Sequence, residues 1–196
     1  MEIRKATMKD LDAVTAVEAE CFPAAEAATR ADFEKRLAMY PDHFWLLMEN
    51  EEGISDSGEP ERLEKEAQSG YAKADMRYGA GVNVTEEQII GFVNGMVTDE
   101  PNLADEMYEN AALHKEDGKW QMIFGVNTLP QYRRQGYAEL ILRQVIAEAR
   151  SQGREGLVLT CKEKLLHYYA KLGFEDEGVS QSVHGNATWY QMRLRF

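Results

Sequence analysis

The run "RRQGYAELIL", residues 133–142, places two arginines and a glycine directly before an amphipathic helix. The segment ahead of it, "KWQMIFGVNT" (119–128), is rich in large apolar residues and predicts a buried strand, which Pro130 ends. A helix that starts just after a strand leaves its first N–H groups without intrahelical partners. The helix dipole adds partial positive charge at the same place, so this turn predicts an anion-binding site.

The helix that follows, 136–151, has the clearest periodicity in the chain. One face carries a stripe of apolar residues, namely Ala138, Ile141, Leu142, Val145 and Ala149. Gly136 and the small Ala138 would let a ligand approach the backbone closely. Neither a GK[ST] loop nor a GxGxxG fingerprint is present, and taken alone the run is also typical of an ordinary helix start with solvated arginines.

Apolar patterns predict further elements on both sides of this unit. Predicted strands lie at 2–6, 43–50, 88–99, 156–161 and 185–196. Predicted helices lie between Thr7 and Pro23, at 27–41 and at 162–173, with a shorter one inside 100–118. Gly91 and Gly95 interrupt one strand and indicate a bulge or a close backbone approach. This order predicts an α/β or α+β fold in which helices cover both faces of a mixed sheet.

The stretch 51–87 differs in composition from the rest of the chain. It is acidic, rich in glycine and serine, and poor in large aliphatic residues. We interpret it as an insertion or long loop between two core strands, with one short helix near 60–68. A solvated loop is one interpretation, and a lid or partner-binding segment is the other.

Composition limits the classes of protein that fit. The 196 residues suffice for one domain, 1–196, with a sizeable core. A net charge of -12 argues against broad binding to nucleic acid, although Arg133, Arg134 and Arg143 can still form a locally basic pocket. No apolar run predicts a membrane span or a signal peptide, so the expected location is the cytoplasm. The two cysteines have neither disulfide-framework nor metal-site spacing, and no metal is expected.

Two motifs together resemble the GCN5-related N-acetyltransferases, the GNAT superfamily. Arg133, Gly136 and Ala138 fill its Arg/Gln-x-x-Gly-x-Gly/Ala pattern, and "HYYAKLGF" (167–174), about 30 residues on, matches a second signature. The resemblance covers nearly the whole chain except 51–87 and implies one domain with a central, strongly twisted mixed sheet. Within the superfamily, "VEAECFPAAEAAT" (17–29) and the region of "HYYAKLGF" are similar to the arylalkylamine N-acetyltransferase-like branch.

The resemblance implies that acetyl-CoA is the ligand and the acetyl donor. Backbone groups of Val126, Asn127 and Thr128 would pair with the pantetheine arm like an added strand. Backbone N–H groups would hold the pyrophosphate, with Arg133 beside them; they belong to Arg134, Gln135, Gly136, Tyr137 and Ala138. The expected acceptor is the primary amine of a small molecule or of a side chain, in a monomer or a homodimer.

Tyr169 is the expected catalytic residue, because the resemblance places it near the thioester sulfur. A phenol with a pKa of about 10 keeps its proton at pH 7 and can donate it as negative charge builds on the departing thiolate. Tyr168 is the neighbouring alternative. A core aromatic residue without catalytic role is the other interpretation of either side chain.

The proton acceptor for the amine is not evident. Related enzymes of this branch carry histidines on the strand before the CoA motif, where this chain has Gln121, Met122 and Phe124. Glu18, Glu20 and Glu26 are the remaining candidates, each also explicable as a solvated or capping carboxylate. His114 and His167 are more typical of packing or surface histidines, and Cys161 of a buried thiol than of an acetyl carrier.

Three functions fit these residues. The first is an acetyl-CoA-dependent N-acetyltransferase, and the second is a non-catalytic module on the same fold that binds or senses acyl-CoA. The third, phosphate or nucleotide binding without acyl chemistry, leaves "HYYAKLGF" unexplained.

Overall fold

The computed structural model describes residues 1–49 and 88–196, so the predicted insertion at 51–87 lies outside the described residues. Whether the chain forms a single domain stays a prediction. The described strands are β1 (Glu2–Lys5), β2 (Phe44–Glu49), β3 (Gln88–Asn94), β4 (Val97–Thr98), β5 (Trp120–Ile123), β6 (Gly125–Thr128), β7 (Gly156–Cys161), β8 (Glu175–Val179) and β9 (Tyr190–Arg195). The described helices are α1 (Leu11–Cys21), α2 (Arg30–Met39), α3 (Glu106–Glu109), α4 (Tyr137–Ser151) and α5 (Leu166–Ala170).

The strands form two sheets. One has the order β1-β2-β3-β6 and is antiparallel throughout. The other has the order β4-β5-β7-β9-β8, in which β5 and β7 are parallel and the remaining pairs are antiparallel. The predicted combination of a mixed sheet with α-helices is confirmed. No helix in the described part of the chain has both the length and the apolar character needed to cross a bilayer.

Strand β2 explains how helices cover both faces of the first sheet. Its side chains alternate between two cores, as the two-residue period of a strand requires. Phe44, Leu46 and Met48 pack with residues of α1 and α2. Trp45 and Leu47 pack with Ile141, Leu142 and Val145 of α4. Because both faces are buried, the strand is an unbroken apolar run.

The predicted continuous strand 119–128 is wrong in one respect, because the structure divides it at Phe124. Before this residue β5 pairs with β7 in one sheet, and after it β6 pairs with β3 in the other. The division repeats in the facing segment, where Gly95 and Met96 separate β3 from β4. Apolar periodicity could not reveal the division, since both halves are extended and the break depends on which strand each half pairs with.

The glycines of 88–99 fulfil the predicted close backbone approach. A methyl group on Gly91 would lie 2.5 Å from the carbonyl oxygen of Asn127, on β6. One on Gly95 would overlap the carbonyl oxygen of Met122, on β5. Two glycines therefore let the segment pack tightly against both strands that diverge at Phe124.

Strand β8 was not predicted, and the predicted final strand 185–196 begins only at Tyr190. The sequence of β8, "EDEGV", is acidic and contains glycine, so propensity disfavours a strand there. Cross-strand pairing with β9 compensates for this. Glu177 accepts hydrogen bonds from Arg193 at 2.7 and 2.9 Å and from Arg195 at 2.8 Å.

Replacing Glu177 by glutamine is expected to lower the free energy of unfolding at pH 7 by about 2 kcal/mol, because charged hydrogen bonds are lost and a buried arginine loses its partner. Hydrogen bonds from Arg193 lower the pKa of Glu177 to about 2, against an ordinary value of 4.5. A lowered folded-state pKa gives stability that is present above the ordinary pKa and is lost as the pH falls towards the folded value.

The difference between wild type and variant should therefore be constant near neutrality and shrink between about pH 5 and pH 2. Urea unfolding at several pH values measures it. Glu175→Gln is the matched control, since that side chain is 78% exposed and its one ion pair within the described residues is a 3.3 Å contact with Arg195. An equal loss for Glu177→Gln at pH 7 and pH 3 would show that the charge is not the source.

Candidate acyl-CoA cleft

A cleft of about 830 Å³ opens beside Phe124, where β5 and β6 diverge. Its walls come from the ends of α1 and β7, from α3 and α5, and from the loop ahead of β9. The predicted site residues that line it are Val126, Thr128, Arg133, Ala138 and Tyr169. Those that do not line it are Asn127, Arg134, Gln135, Gly136 and Tyr137.

Strand β6 presents a free edge to this cleft. It is the last strand of its sheet, so within the described residues only one of its edges is paired. Val126 and Thr128 line the cleft, whereas the side chain of Asn127 points into the core and donates to Glu18 at 2.6 Å. A free edge can accept an extended chain through main-chain hydrogen bonds.

The turn before α4 has an unusual backbone conformation. Arg134 has a φ of 62°, the left-handed region that non-glycine residues seldom adopt, and Gly136 has a φ of 86°. The backbone N–H groups from Arg134 to Glu139 have no hydrogen-bond acceptor within residues 1–49 and 88–196. Six N–H groups in one turn, at the positive end of a helix, form the kind of site that binds phosphate.

The charged and polar side chains of the same turn have separate roles. Arg133 donates to the carbonyl oxygens of Thr128, at 3.0 Å, and Cys21, at 3.4 Å, so it joins the ends of β6 and α1. Arg134 is exposed and makes no ion pair with any described residue. Gln135 donates back to the Gln131 carbonyl at 3.0 Å.

Two neighbouring side chains are engaged elsewhere. Arg143 pairs with Glu139 at 2.6 Å, so it does not join the predicted basic pocket as a free charge. The ring of Tyr137 lies 6.2 Å from that of Tyr132. Of the three predicted arginines, Arg133 and Arg134 therefore have no carboxylate partner among the described residues, and Arg134 also makes no hydrogen bond there.

Tyr169 is buried and reaches the cleft from α5. Its ring packs edge-on against Tyr168 and Phe174, with centroids 5.1 and 5.9 Å away. Its hydroxyl makes no hydrogen bond to any residue in the described ranges, and it is not among the fully enclosed polar atoms without a partner. Burial, and then the neighbouring Cys161 and Tyr168, raises the pKa of Tyr169, so the phenol stays protonated at neutral pH.

Tyr168 and Cys161 also line the cleft. The Tyr168 hydroxyl is enclosed without a hydrogen-bond partner among the described residues, and burial raises its pKa to about 12. Burial raises the pKa of Cys161 to about 12 as well, with Asp176 contributing. Cys161 is therefore a thiol at neutral pH, which suits a buried apolar residue better than a nucleophile.

The three candidate carboxylates differ in position. Glu18 is 5% exposed, lines the cleft, and accepts hydrogen bonds from the Ala28 N–H at 2.9 Å and from Asn127 at 2.6 Å. Burial outweighs these bonds and raises the pKa of Glu18. Glu26 also lines the cleft but pairs with Lys162 at 2.7 Å. Glu20 is exposed and does not line the cleft.

One histidine that sequence reasoning missed, His184, lines the cleft. It lies in "SVHGNATW" (182–189), ahead of β9, where no motif or spacing marked it. His167 is exposed on α5 and His114 does not line the cleft. On β5, Gln121 and Met122 are buried away from the cleft, and Phe124 lines it.

A second histidine cluster lies outside the cleft. Ligand-type atoms of His43, His114 and Glu116 fall within 4.8 Å of one another. The Val97 N–H donates to Nδ1 of His114 at 3.2 Å, so the proton of this ring sits on Nε2, which donates to Glu116 at 3.1 Å. A metal ligand needs a lone pair at that nitrogen. The hydrogen bonds therefore favour a proton-sharing network, to which Gln121 adds a 2.7 Å contact with His43.

Comparison with known proteins agrees with this architecture. The Acetyltransferase (GNAT) family matches residues 11–174. The GNAT-like decarboxylase GphF in complex with isobutyryl-CoA has a TM-score of 0.70 and 20% identity, with 100% of this chain and 99% of that chain covered. The ribosomal-protein-S18-alanine N-acetyltransferase from Escherichia coli has a TM-score of 0.61 and 15% identity, with 99% and 92% covered.

A GNAT family acetyltransferase from Brucella melitensis in complex with acetyl-CoA has a TM-score of 0.53 and 15% identity, with 100% of this chain and 87% of that chain covered. At these identities the structural likeness concerns the fold, and placement in the arylalkylamine branch stays a prediction. The family match itself includes the turn before α4 and the "HYYAKLGF" segment. The chain therefore belongs to the GNAT acetyltransferase family.

Proposed function

We propose that this protein is an acetyl-CoA-dependent N-acetyltransferase that acts on a primary amine of a small molecule or of a side chain. The observation that carries the proposal is the convergence of three features on one cleft. These are the free edge of β6, the turn before α4, which reaches the cleft at Arg133 and Ala138 and whose N–H groups lack acceptors among the described residues, and Tyr169. Each suits a different part of one ligand: the pantetheine arm, the pyrophosphate and the thioester.

The reaction that this arrangement supports is a direct transfer. The amine nitrogen attacks the acetyl carbon, a C–N bond forms and the C–S bond breaks. Tyr169 donates its hydroxyl hydrogen to the departing sulfur, because a phenol with a raised pKa is a donor at neutral pH. The amine loses one proton to a base, which releases it to solvent, and the Tyr169 phenolate takes one proton from solvent, so that the enzyme returns to its starting state.

Non-catalytic binding or sensing of acyl-CoA is the alternative function. It is favoured by β5, whose residues Gln121 and Met122 offer no base. The similarity to a decarboxylase solved with isobutyryl-CoA adds that this fold serves acyl-CoA chemistry other than acetylation of amines. The alternative predicts tight binding of acetyl-CoA without acetylated product.

An amine panel separates the two functions. The purified protein is incubated with acetyl-CoA and tyramine, spermidine or a tetrapeptide that begins with alanine, and acetylated products are measured by mass spectrometry. The CoA that is released should be measured by chromatography and not with a thiol reagent, because the partly exposed free thiol of Cys21 would also react with the reagent. Product with at least one amine supports the acetyltransferase, and binding of acetyl-CoA without product supports the alternative.

An Ala138→Asp variant is expected to bind acetyl-CoA on the order of 100-fold more weakly. Ala138 lines the cleft in the first turn of α4, so the new carboxylate would face the pyrophosphate. Two like charges about 4–5 Å apart near a protein surface repel by about 3–4 kcal/mol. Isothermal titration calorimetry measures the dissociation constant.

The same substitution should not harm the fold, because an acidic residue at a helix N-terminus is favourable. Ala147→Asp is the matched control: it adds the same charge to the exposed face of the same helix. Its affinity for acetyl-CoA should stay within about twofold of wild type. If the Ala138→Asp variant and wild type bound acetyl-CoA equally tightly, this turn would not be the site that binds the pyrophosphate.

A further inference from the structure

We propose that His184 is the general base that removes the proton from the acceptor amine. This inference rests on the proposed acetyltransferase function, which needs such a base. Strand β5 supplies none. Four of the five carboxylates that line the cleft are engaged by described residues, namely Glu18, Glu26, Asp32 and Asp105. The fifth, Glu109, is exposed, and no hydrogen bond or ion pair within the described residues orients it. Both oxygens of Glu18 accept hydrogen bonds, and Glu26 is paired with Lys162.

The hydrogen bonds of His184 fix which ring nitrogen is free. Its Nε2 lies 3.0 Å from the carbonyl oxygen of Glu26, which can only accept. Nε2 therefore carries the hydrogen, and Nδ1 of the neutral ring keeps a lone pair. Nδ1 has no hydrogen-bond partner in the described part of the chain, and the ring lines the cleft. An oriented imidazole with a free lone pair is what a general base requires.

The ring is held in place by stacking. It lies parallel to Tyr108, with centroids 5.0 Å apart and an angle of 23° between the planes. Tyr108 in turn lies 5.0 Å from Phe124, the residue at which β5 and β6 diverge. Tyr108, Phe124 and His184 line the same cleft as Tyr169.

Hydrogen bonds on both sides of His184 fix the position of its backbone. The Trp189 indole donates to the His184 carbonyl oxygen at 2.8 Å, and Asp105 accepts from the Val183 N–H at 3.0 Å. Gly185 and Asn186 both have positive φ, of 60° and 54°. Glycine and asparagine are the residue types that adopt this conformation most readily, so the chain can turn sharply after His184 at little cost.

Charged side chains of both signs line the cleft with His184. Glu18 and Glu26 come from the side of α1, and Asp105 anchors the segment that precedes the ring. Arg36 lines the cleft as well, and Lys162 pairs with Glu26 at 2.7 Å.

Two protons leave the acceptor nitrogen in this scheme. Nδ1 of His184 accepts the first from the ammonium form, directly or through one water, and the free amine attacks the acetyl carbon. The C–S bond breaks, its electron pair leaves on sulfur, and Tyr169 donates its hydroxyl hydrogen to that sulfur. The nitrogen gives up its second proton as the amide forms, and this proton restores the Tyr169 hydroxyl, directly or through water. The imidazolium releases its proton to solvent before the next cycle, so one proton is released for each acetyl group transferred.

A His184→Gln variant tests this role, because the glutamine amide can still donate to Glu26 but cannot act as a base. The acceptor is whichever of tyramine, spermidine and the alanine-first tetrapeptide the wild type acetylates fastest. At pH 7, kcat/KM for this amine should fall about 100-fold, while the dissociation constant for acetyl-CoA stays within about twofold. Towards pH 10, where the amine is free without help, the difference should nearly vanish.

His167→Gln is the matched control, since this exposed histidine does not line the cleft, and its pH–rate profile should match wild type. Imidazole added to His184→Ala should restore part of the rate. An active His184→Gln enzyme with the wild-type rate and pH profile would overturn the role of His184 alone. A wild type that binds acetyl-CoA but acetylates none of the amines would overturn the acetyltransferase proposal and this inference with it.

Discussion

A Tyr169→Phe variant is expected to acetylate amines about 100 times more slowly than wild type, or slower still, while its affinity for acetyl-CoA is almost unchanged. Only one oxygen is removed, and the buried ring keeps its edge-on contacts with Tyr168 and Phe174. The loss should fall on kcat, because the hydroxyl is needed where charge develops on sulfur and not for binding the ground state.

The fold should tolerate this change well. The Tyr169 hydroxyl has no hydrogen-bond partner within the described residues, so its removal leaves no buried partner unpaired. We expect the free energy of unfolding to change by less than about 0.5 kcal/mol. A large loss of rate without a loss of stability would show that the hydroxyl acts in the transfer step and not in folding.

Tyr168→Phe is the matched control. Its hydroxyl is enclosed and has no hydrogen-bond partner in residues 1–49 or 88–196, so the variant should keep a rate close to wild type. Single-turnover kinetics with acetyl-CoA in excess separate transfer from product release. If Tyr168→Phe instead loses the rate and Tyr169→Phe keeps it, the two tyrosines exchange roles.

The unit around α4 could be predicted from sequence because its signals are local. The apolar stripe, the glycine before the helix and the preceding apolar strand lie within about 30 residues, and each has its own physical cause. Tyr169 could be placed near this unit only through the family resemblance, since no local rule joins α5 to α4.

The base and the division of 119–128 could not be predicted in the same way. His184 gains its orientation from Glu26 and Tyr108, which are distant in sequence. The division depends on which strand each half pairs with, and the sequence of one segment does not reveal its pairing partner in another. Likewise β8 exists because Arg193 and Arg195 lie opposite its carboxylates.

A Gly95→Ala variant is expected to lose about 3 kcal/mol of its free energy of unfolding, the largest effect on stability that we expect from one methyl group. The added carbon would overlap the Met122 carbonyl oxygen and lie 2.8 Å from its carbonyl carbon. Both obstacles are backbone atoms of a central strand, so no side chain can rotate away. Urea unfolding of the two proteins measures the difference.

The strain would fall on the contact between Gly95 and β5, next to the place where β5 and β6 diverge to form the cleft. The Met122 N–H donates to the Met96 carbonyl at 2.8 Å, and the Phe124 N–H donates to the Asn94 carbonyl at 2.8 Å. These two bonds flank Gly95 and hold β5 against the segment that faces it. If the methyl group pushes β5 away, both bonds lengthen and the separation of β5 from β6 changes, so the affinity for acetyl-CoA should fall as well.

Gly153→Ala separates this crowding from a general cost of replacing glycine. Gly153 has a φ of 75° and open space around a methyl group, so alanine there should cost only the strain of the left-handed conformation, about 1 kcal/mol. Affinity for acetyl-CoA should be unaffected, because Gly153 does not line the cleft. If Gly95→Ala were no more destabilising than Gly153→Ala, the close approach of the two backbones could not be what sets the divergence of β5 and β6.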